Sequence, residues 1–79
     1  MELLLFGVTK DITGADRLAV PLSAGVTTVA ALKEWLVAQY PGLGQLRSLA
    51  VAVNGEYAMD EQCLSAGNEI ALIPPVSGG

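Results

Sequence analysis

The sequence ends in Pro74-Pro75-Val76-Ser77-Gly78-Gly79, and the carboxyl of Gly79 is its best-placed chemical group. Proline holds φ near about −65° and has no backbone N–H, so Pro74-Pro75 cannot carry a sheet ladder and instead stiffens a stem. Glycine has no Cβ, so Gly78-Gly79 can thread a channel too narrow for other residues, with the carbonyl left sterically open. The pattern predicts a handle held away from a folded body; a frayed, glycine-rich end is the plain alternative. A terminal carboxyl ordinarily titrates at about 3.3–3.7. Near neutral pH it is an anion and a poor electrophile, so its oxygen must first be made a leaving group.

Few other groups could do chemistry unaided. The chain has no histidine, which removes imidazole bases, His-based triads and imidazole metal ligands. Cys63 is the only cysteine, so there is no internal disulfide and no clustered thiolate zinc site, and no metal centre is expected. It follows Asp60-Glu61-Gln62, with no cation beside it to favour a thiolate. Cys63 therefore reads as structural or incidental rather than as a carrier thiol.

With 79 residues the chain makes one small domain. Four basic against eight acidic residues give a formal charge of −4, and no basic cluster is available to displace phosphate counterions, so nucleic acid is not an expected partner. No apolar run approaches the ~18 residues of a membrane span. Leu3-Leu4-Leu5-Phe6 is also too short for a signal peptide's core, so the expected location is cytoplasmic. Yet 52% of residues are hydrophobic, an excess that predicts an exposed patch covered by a partner.

The elements that must hold the tail follow from periodicity. Leu3 to Val8 is a continuous apolar run, expected as a strand buried on both faces. Asp11-Ile12-Thr13-Gly14 carries turn chemistry. Leu18, Val20 and Leu22 alternate with polar or small residues as a second strand, which Pro21 places at an edge. Val29, Leu32, Leu36 and Tyr40 form one helical stripe, capped by Thr27 or Thr28 and stopped at Tyr40-Pro41-Gly42, with Trp35 at its border. Leu49, Val51 and Val53 predict a third strand, Asn54-Gly55 a type I′ hairpin turn and Glu56–Met59 the return strand. Ser65–Asn68 reads as a turn and Glu69–Ile73 as the last strand. The order is β-β-α-β-β-β, an α+β architecture with a mixed sheet packed on one main helix. The body is residues 1–73 and the tail 74–79.

That order, running straight into Gly-Gly, resembles the ubiquitin-like β-grasp family. Within it, the chain is similar to the sulfur-carrier small subunits of molybdopterin synthase. The likeness is carried by residues 4–14, by Val29–Leu36, by Val51-Ala52-Val53-Asn54-Gly55-Glu56, and most specifically by the closing block from Gly67 to Gly79. Lys10-Asp11 stands where Arg-Glu is usual in that family, and Ile73 where Phe is common.

The resemblance implies that an E1-like enzyme uses ATP to adenylate Gly79, and that a persulfide donor converts it to a thiocarboxylate. The sulfur would then pass to a cyclic pyranopterin monophosphate inside the large catalytic subunit of a heterotetrameric synthase. Gly79 is the covalent site and Gly78 permits threading. Phe6, Ile73, Pro74, Pro75, Val76 and Ser77 are the candidate partner-binding residues. No permanently bound cofactor is implied, and the acid–base groups belong to the partners. The alternatives are a thiamine-pathway carrier, a ubiquitin-like modifier, or an interaction domain with an idle tail.

Overall fold

The structure is a computed structural model that describes residues 1–45, 49–65 and 67–74. Its strands are β1 (Glu2–Leu5), β2 (Arg17–Ala19), β3 (Ala50–Val53), β4 (Glu56–Ala58) and β5 (Ile70–Ile73), and its helices are α1 (Val8–Thr13) and α2 (Val29–Gln39). Short 3-10 turns occupy Leu22–Ala24 and Pro41–Gln45. The five strands make one sheet in the order β2-β1-β5-β3-β4. The central pair, β1 and β5, is parallel, with Leu5 opposite Leu72. The pairs β1–β2, β3–β4 and β3–β5 are antiparallel. The α+β class and the mixed sheet on one main helix are therefore what the chain adopts.

Period-two alternation divides the sheet into two faces. Leu3, Leu5, Val51, Val53, Ile70 and Leu72 point to one side and join Val29, Leu32 and Leu36 of α2, with Val20 and Leu43, in a buried core. α2 starts where expected. Thr28 has extended backbone, and its Oγ1 accepts from the Ala31 N–H at 3.2 Å. Two further first-turn donors are met by the chain ahead of β5: Val29 N–H donates to the Gln62 carbonyl and Ala30 N–H to that of Asp60, both at 3.0 Å. The helix N-terminus is thus satisfied internally. Trp35 is half-buried against the core, as its border position predicts. The Asn54-Gly55 turn has φ of 53° and 84°, the left-handed pair a type I′ hairpin needs.

The first third of the chain departs from expectation. Leu3–Val8 is not one strand buried on both faces: β1 ends at Leu5, Leu4 is only half-buried, and Phe6 and Val8 are exposed. The run breaks at Gly7, whose φ of 57° and ψ of −133° take the chain out of the sheet and into α1. Asp11–Gly14, expected as a turn, is the end of that helix with Gly14 as its left-handed cap, and the Gly14 N–H donates to the Lys10 carbonyl at 2.8 Å. A six-residue helix is too short to show a hydrophobic period, so the expected β-β-α order becomes β-α-β-α over this region. β2 closes at Ala19 rather than reaching Leu22, because Pro21 has no N–H to continue the ladder and a 3-10 turn begins at Leu22. β4 also stops one residue short of Met59.

Candidate functional site

The parallel pairing of β1 with β5 determines where the tail begins. Two parallel neighbours end on the same side of a sheet, so the chain leaving β1 at Phe6 and the chain leaving β5 at Pro74 emerge together. At that point the Pro74 ring comes close to the Gly7 backbone: a Cβ added to Gly7 would lie 3.0 Å from Pro74 Cγ. Glycine at 7 thus serves both the positive φ and the approach of the proline stem. Pro75, Val76, Ser77, Gly78 and Gly79 lie outside the described residues.

The Phe6–Thr9 turn is held from within. Thr9, fully buried, donates its hydroxyl to the Phe6 carbonyl and accepts from the Phe6 N–H at 3.1 Å. The Thr9 N–H also donates to the Phe6 carbonyl, at 3.2 Å. Every polar group of this threonine is therefore engaged locally, and the Phe6 backbone is fixed while the residue stays 49% exposed. Sequence reading passed over Thr9, because a lone threonine in an apolar run gives no signal without the turn it closes.

On the sheet face opposite α2, strand register aligns Arg17, Leu4, Ala71, Ala52 and Tyr57 across all five strands. Ile73 pairs with Ala50 one row nearer the tail. Leu4, Ala50, Ala52, Ala71 and Ile73 are half-buried by their neighbours, while Tyr57 is 75% exposed. Of the predicted partner-binding residues, the structure brings Phe6, Ile73 and Pro74 to one end of the molecule. The alanines were missed as a surface: their signal was present in the alternation of β3 and β5, but small residues out of phase with a core read as filler.

Beside Phe6 a cleft of about 410 Å³ opens between β1, β2 and the start of α1, lined by Leu4, Leu5, Phe6, Gly7, Lys10, Asp16 and Arg17. Among the described residues no group of three or more His, Cys, Asp or Glu side chains gathers in one place. Cys63 is exposed, and its backbone bridges to Thr28. No described helix is long and apolar enough to cross a membrane.

Comparison with known proteins agrees with this geometry. The family model described as "ThiS family" matches residues 3–79, which includes the whole tail. The chain belongs to the ThiS family. A relative from Arabidopsis thaliana, named molybdopterin synthase sulfur carrier subunit, is 39% identical over 80 residues, covering 100% of this chain and 82% of that protein. The human protein of the same name is 36% identical over 87 residues, covering 100% and 93%. Among solved structures, SAMP1 from Haloferax volcanii superposes with a TM-score of 0.78 at 31% identity, over 99% of this ThiS-family chain and 97% of that one. The ubiquitin-like β-grasp fold is thereby established for this member.

Proposed function

We propose that this ThiS-family chain is the sulfur-carrier subunit of molybdopterin synthase, and that Gly79 bears the sulfur. The observation that carries the reading is the Pro-Pro-Val-Ser-Gly-Gly block, placed at the end of a β-grasp body in a chain whose family match runs through residue 79. Relatives of that name at 39% and 36% identity support it.

The chemistry is that of an activated acyl group. In an E1-like enzyme a Gly79 carboxylate oxygen attacks the α-phosphorus of ATP, releasing pyrophosphate and leaving an acyl-adenylate. The terminal sulfur of a persulfide donor attacks the acyl carbon and AMP departs. A second thiol then reduces the acyl disulfide, freeing the thiocarboxylate and leaving the thiols oxidised. Sulfur is the softer nucleophile and stays ionised at neutral pH, so it can attack a cyclic pyranopterin monophosphate within the large catalytic subunit. Hydrolysis returns the Gly79 carboxylate, and two carriers are consumed for each dithiolene.

In this scheme Gly78 allows an extended passage, and the stem from Pro74 through Ser77 lowers the ordering cost of insertion. Phe6 and Ile73, on the tail side of the body, are the docking residues. Residues 1–73 act as the body and 74–79 as the inserted segment. ATP belongs to the activating enzyme.

Incubation with a cognate activating enzyme, ATP and a sulfur source, followed by intact mass, tests the reading. Exchange of one oxygen for sulfur at Gly79 is the expected result; an unchanged mass, with an enzyme that charges another carrier, overturns it. A second reading is favoured by the relative from Haloferax volcanii named small archaeal modifier protein 1, 35% identical over 88 residues. There the activated Gly79 would be attacked by a lysine amine, and amide-linked conjugates would replace the thiocarboxylate.

A further inference from the structure

The cleft beside Phe6 carries a charge that the rest of the chain does not predict. Overall the sequence is acidic, at −4, yet two of its four basic residues, Lys10 and Arg17, line this one cleft against a single carboxylate, Asp16. Neither cation is held in a buried ion pair among the described residues. Among the described residues Lys10 makes no ion pair, and Arg17 reaches only Glu2 at 3.4 Å, with both side chains more than 60% exposed. An exposed pair of that kind is easily exchanged for a better one.

The walls, by contrast, are built firmly. Phe6 is tied by Thr9, α1 holds Lys10 beside it, and the Leu5 N–H donates to the Asp16 carbonyl at 3.0 Å, fixing the chain just ahead of Arg17. Leu4 and the exposed Phe6 supply the apolar part of the lining, which strengthens any charge pair formed once water is displaced. Gly7 both lines the cleft and approaches Pro74, so the cleft lies next to the root of the tail.

We propose that this cleft is a docking point for an acidic side chain, presented on an apolar segment of the catalytic subunit that receives the tail. The guanidinium of Arg17 offers a fork that a carboxylate can accept from in bidentate fashion, and Lys10 adds a second donor from the facing wall. Seating this group beside the tail root fixes the carrier's rotation about its own stem, so Gly79 enters with one orientation. The inference rests on the sulfur-carrier reading and adds to it the chemistry of the partner's contact.

The test compares charge reversals of equal size on opposite faces of the sheet. Lys10→Glu is measured against Lys33→Glu, since Lys33 lies on α2, pairs with Asp60 at 2.8 Å and lines no part of the cleft. The expected result is that Lys10→Glu weakens the Kd for the catalytic subunit about tenfold, while Lys33→Glu changes it less than about threefold. A Lys10→Ala/Arg17→Ala double variant, which tests the same contact without reversing charge, should lose most of the salt dependence of binding between about 50 and 500 mM. Lys10→Arg should restore wild-type affinity. Circular dichroism confirms that each variant is folded. Equal weakening by the two reversals would show that only net charge matters and would overturn the proposal, as would no weakening by either. Sulfur uptake is followed in parallel by intact mass. A wild-type chain that gains no sulfur removes the carrier reading; a charged wild type whose Lys10→Glu variant binds unimpaired removes the cleft alone.

Discussion

At the scale of single residues, the molecule separates those that present the tail from those that hold the body. Gly78 and Gly79 contribute no side chain to any core. Their removal is expected to abolish sulfur uptake while leaving the thermal midpoint within about 4 °C of wild type, since glycine has no side chain to bury and a change of about 0.5 kcal/mol is the expected bound. Parallel intact-mass and calorimetric measurements check both halves of that statement. Thr9 is the opposite case. Replacing it by valine keeps the volume but strips the partner from the part-buried Phe6 N–H, and an unsatisfied donor costs up to about 1–3 kcal/mol. In a domain of this size each kcal/mol corresponds to about 4–8 °C, so a differential-scanning measurement resolves the loss. A smaller Thr9→Val effect would mean that water reaches Phe6. The proposed tail chemistry rests on Pro-Pro and Gly-Gly, whose backbone properties need no tertiary context. Thr9 was not legible in the sequence, because its importance lies in a turn only four residues long.

At the scale of elements, α2 does most to set the fold, and its limits were readable. A stripe of large aliphatic residues at 29, 32 and 36 needs no tertiary information to declare a face, and Thr28 needs only its following N–H groups to declare a start. Two substitutions separate these contributions. Thr28→Ala removes the cap to Ala31 and is expected to cost about 1 kcal/mol, whereas Leu36→Ala opens a cavity in a fully buried position and is expected to cost about 2–5 kcal/mol. Urea titrations of both should show unchanged slopes and shifted midpoints, Leu36→Ala by the larger amount. α1 illustrates the limit of the same reasoning. Its six residues, Val8–Thr13, lie between Gly7 and Gly14 and bury only Thr9 and, in part, Ile12, too short a face to declare a period. An apolar Val8 continuing the β1 run therefore read as strand. The β-propensity of a continuous aliphatic stretch lost to the left-handed glycine inside it.

At the scale of the whole molecule, β5 occupies the centre of the sheet, bonded to β1 on one side and β3 on the other, and the tail is its direct continuation. The segment proposed to enter a partner thus continues from the central strand of the sheet. Amide exchange is expected to be slowest in β1, β3 and β5 and faster by orders of magnitude in the edge strands β2 and β4, which a time course read by mass spectrometry or NMR will show. Protection of β4 equal to that of β5 would contradict this order. The alternation of apolar residues, the Asn54-Gly55 turn, the helical stripe and the closing Pro-Pro-Val-Ser-Gly-Gly are local in cause, since each depends on φ, on side-chain period or on a missing N–H within a few residues. The sequence by itself therefore determined the α+β class, the main helix and the hairpin, and it supplied the end that is proposed to react. Only the tertiary structure decided that β1 and β5 lie side by side and parallel, which brings Phe6, Gly7 and Pro74 together and sets Lys10 and Arg17 around one cleft. Residues some 65 positions apart meet there through strand pairing, and no local preference of either segment specifies its partner across that distance.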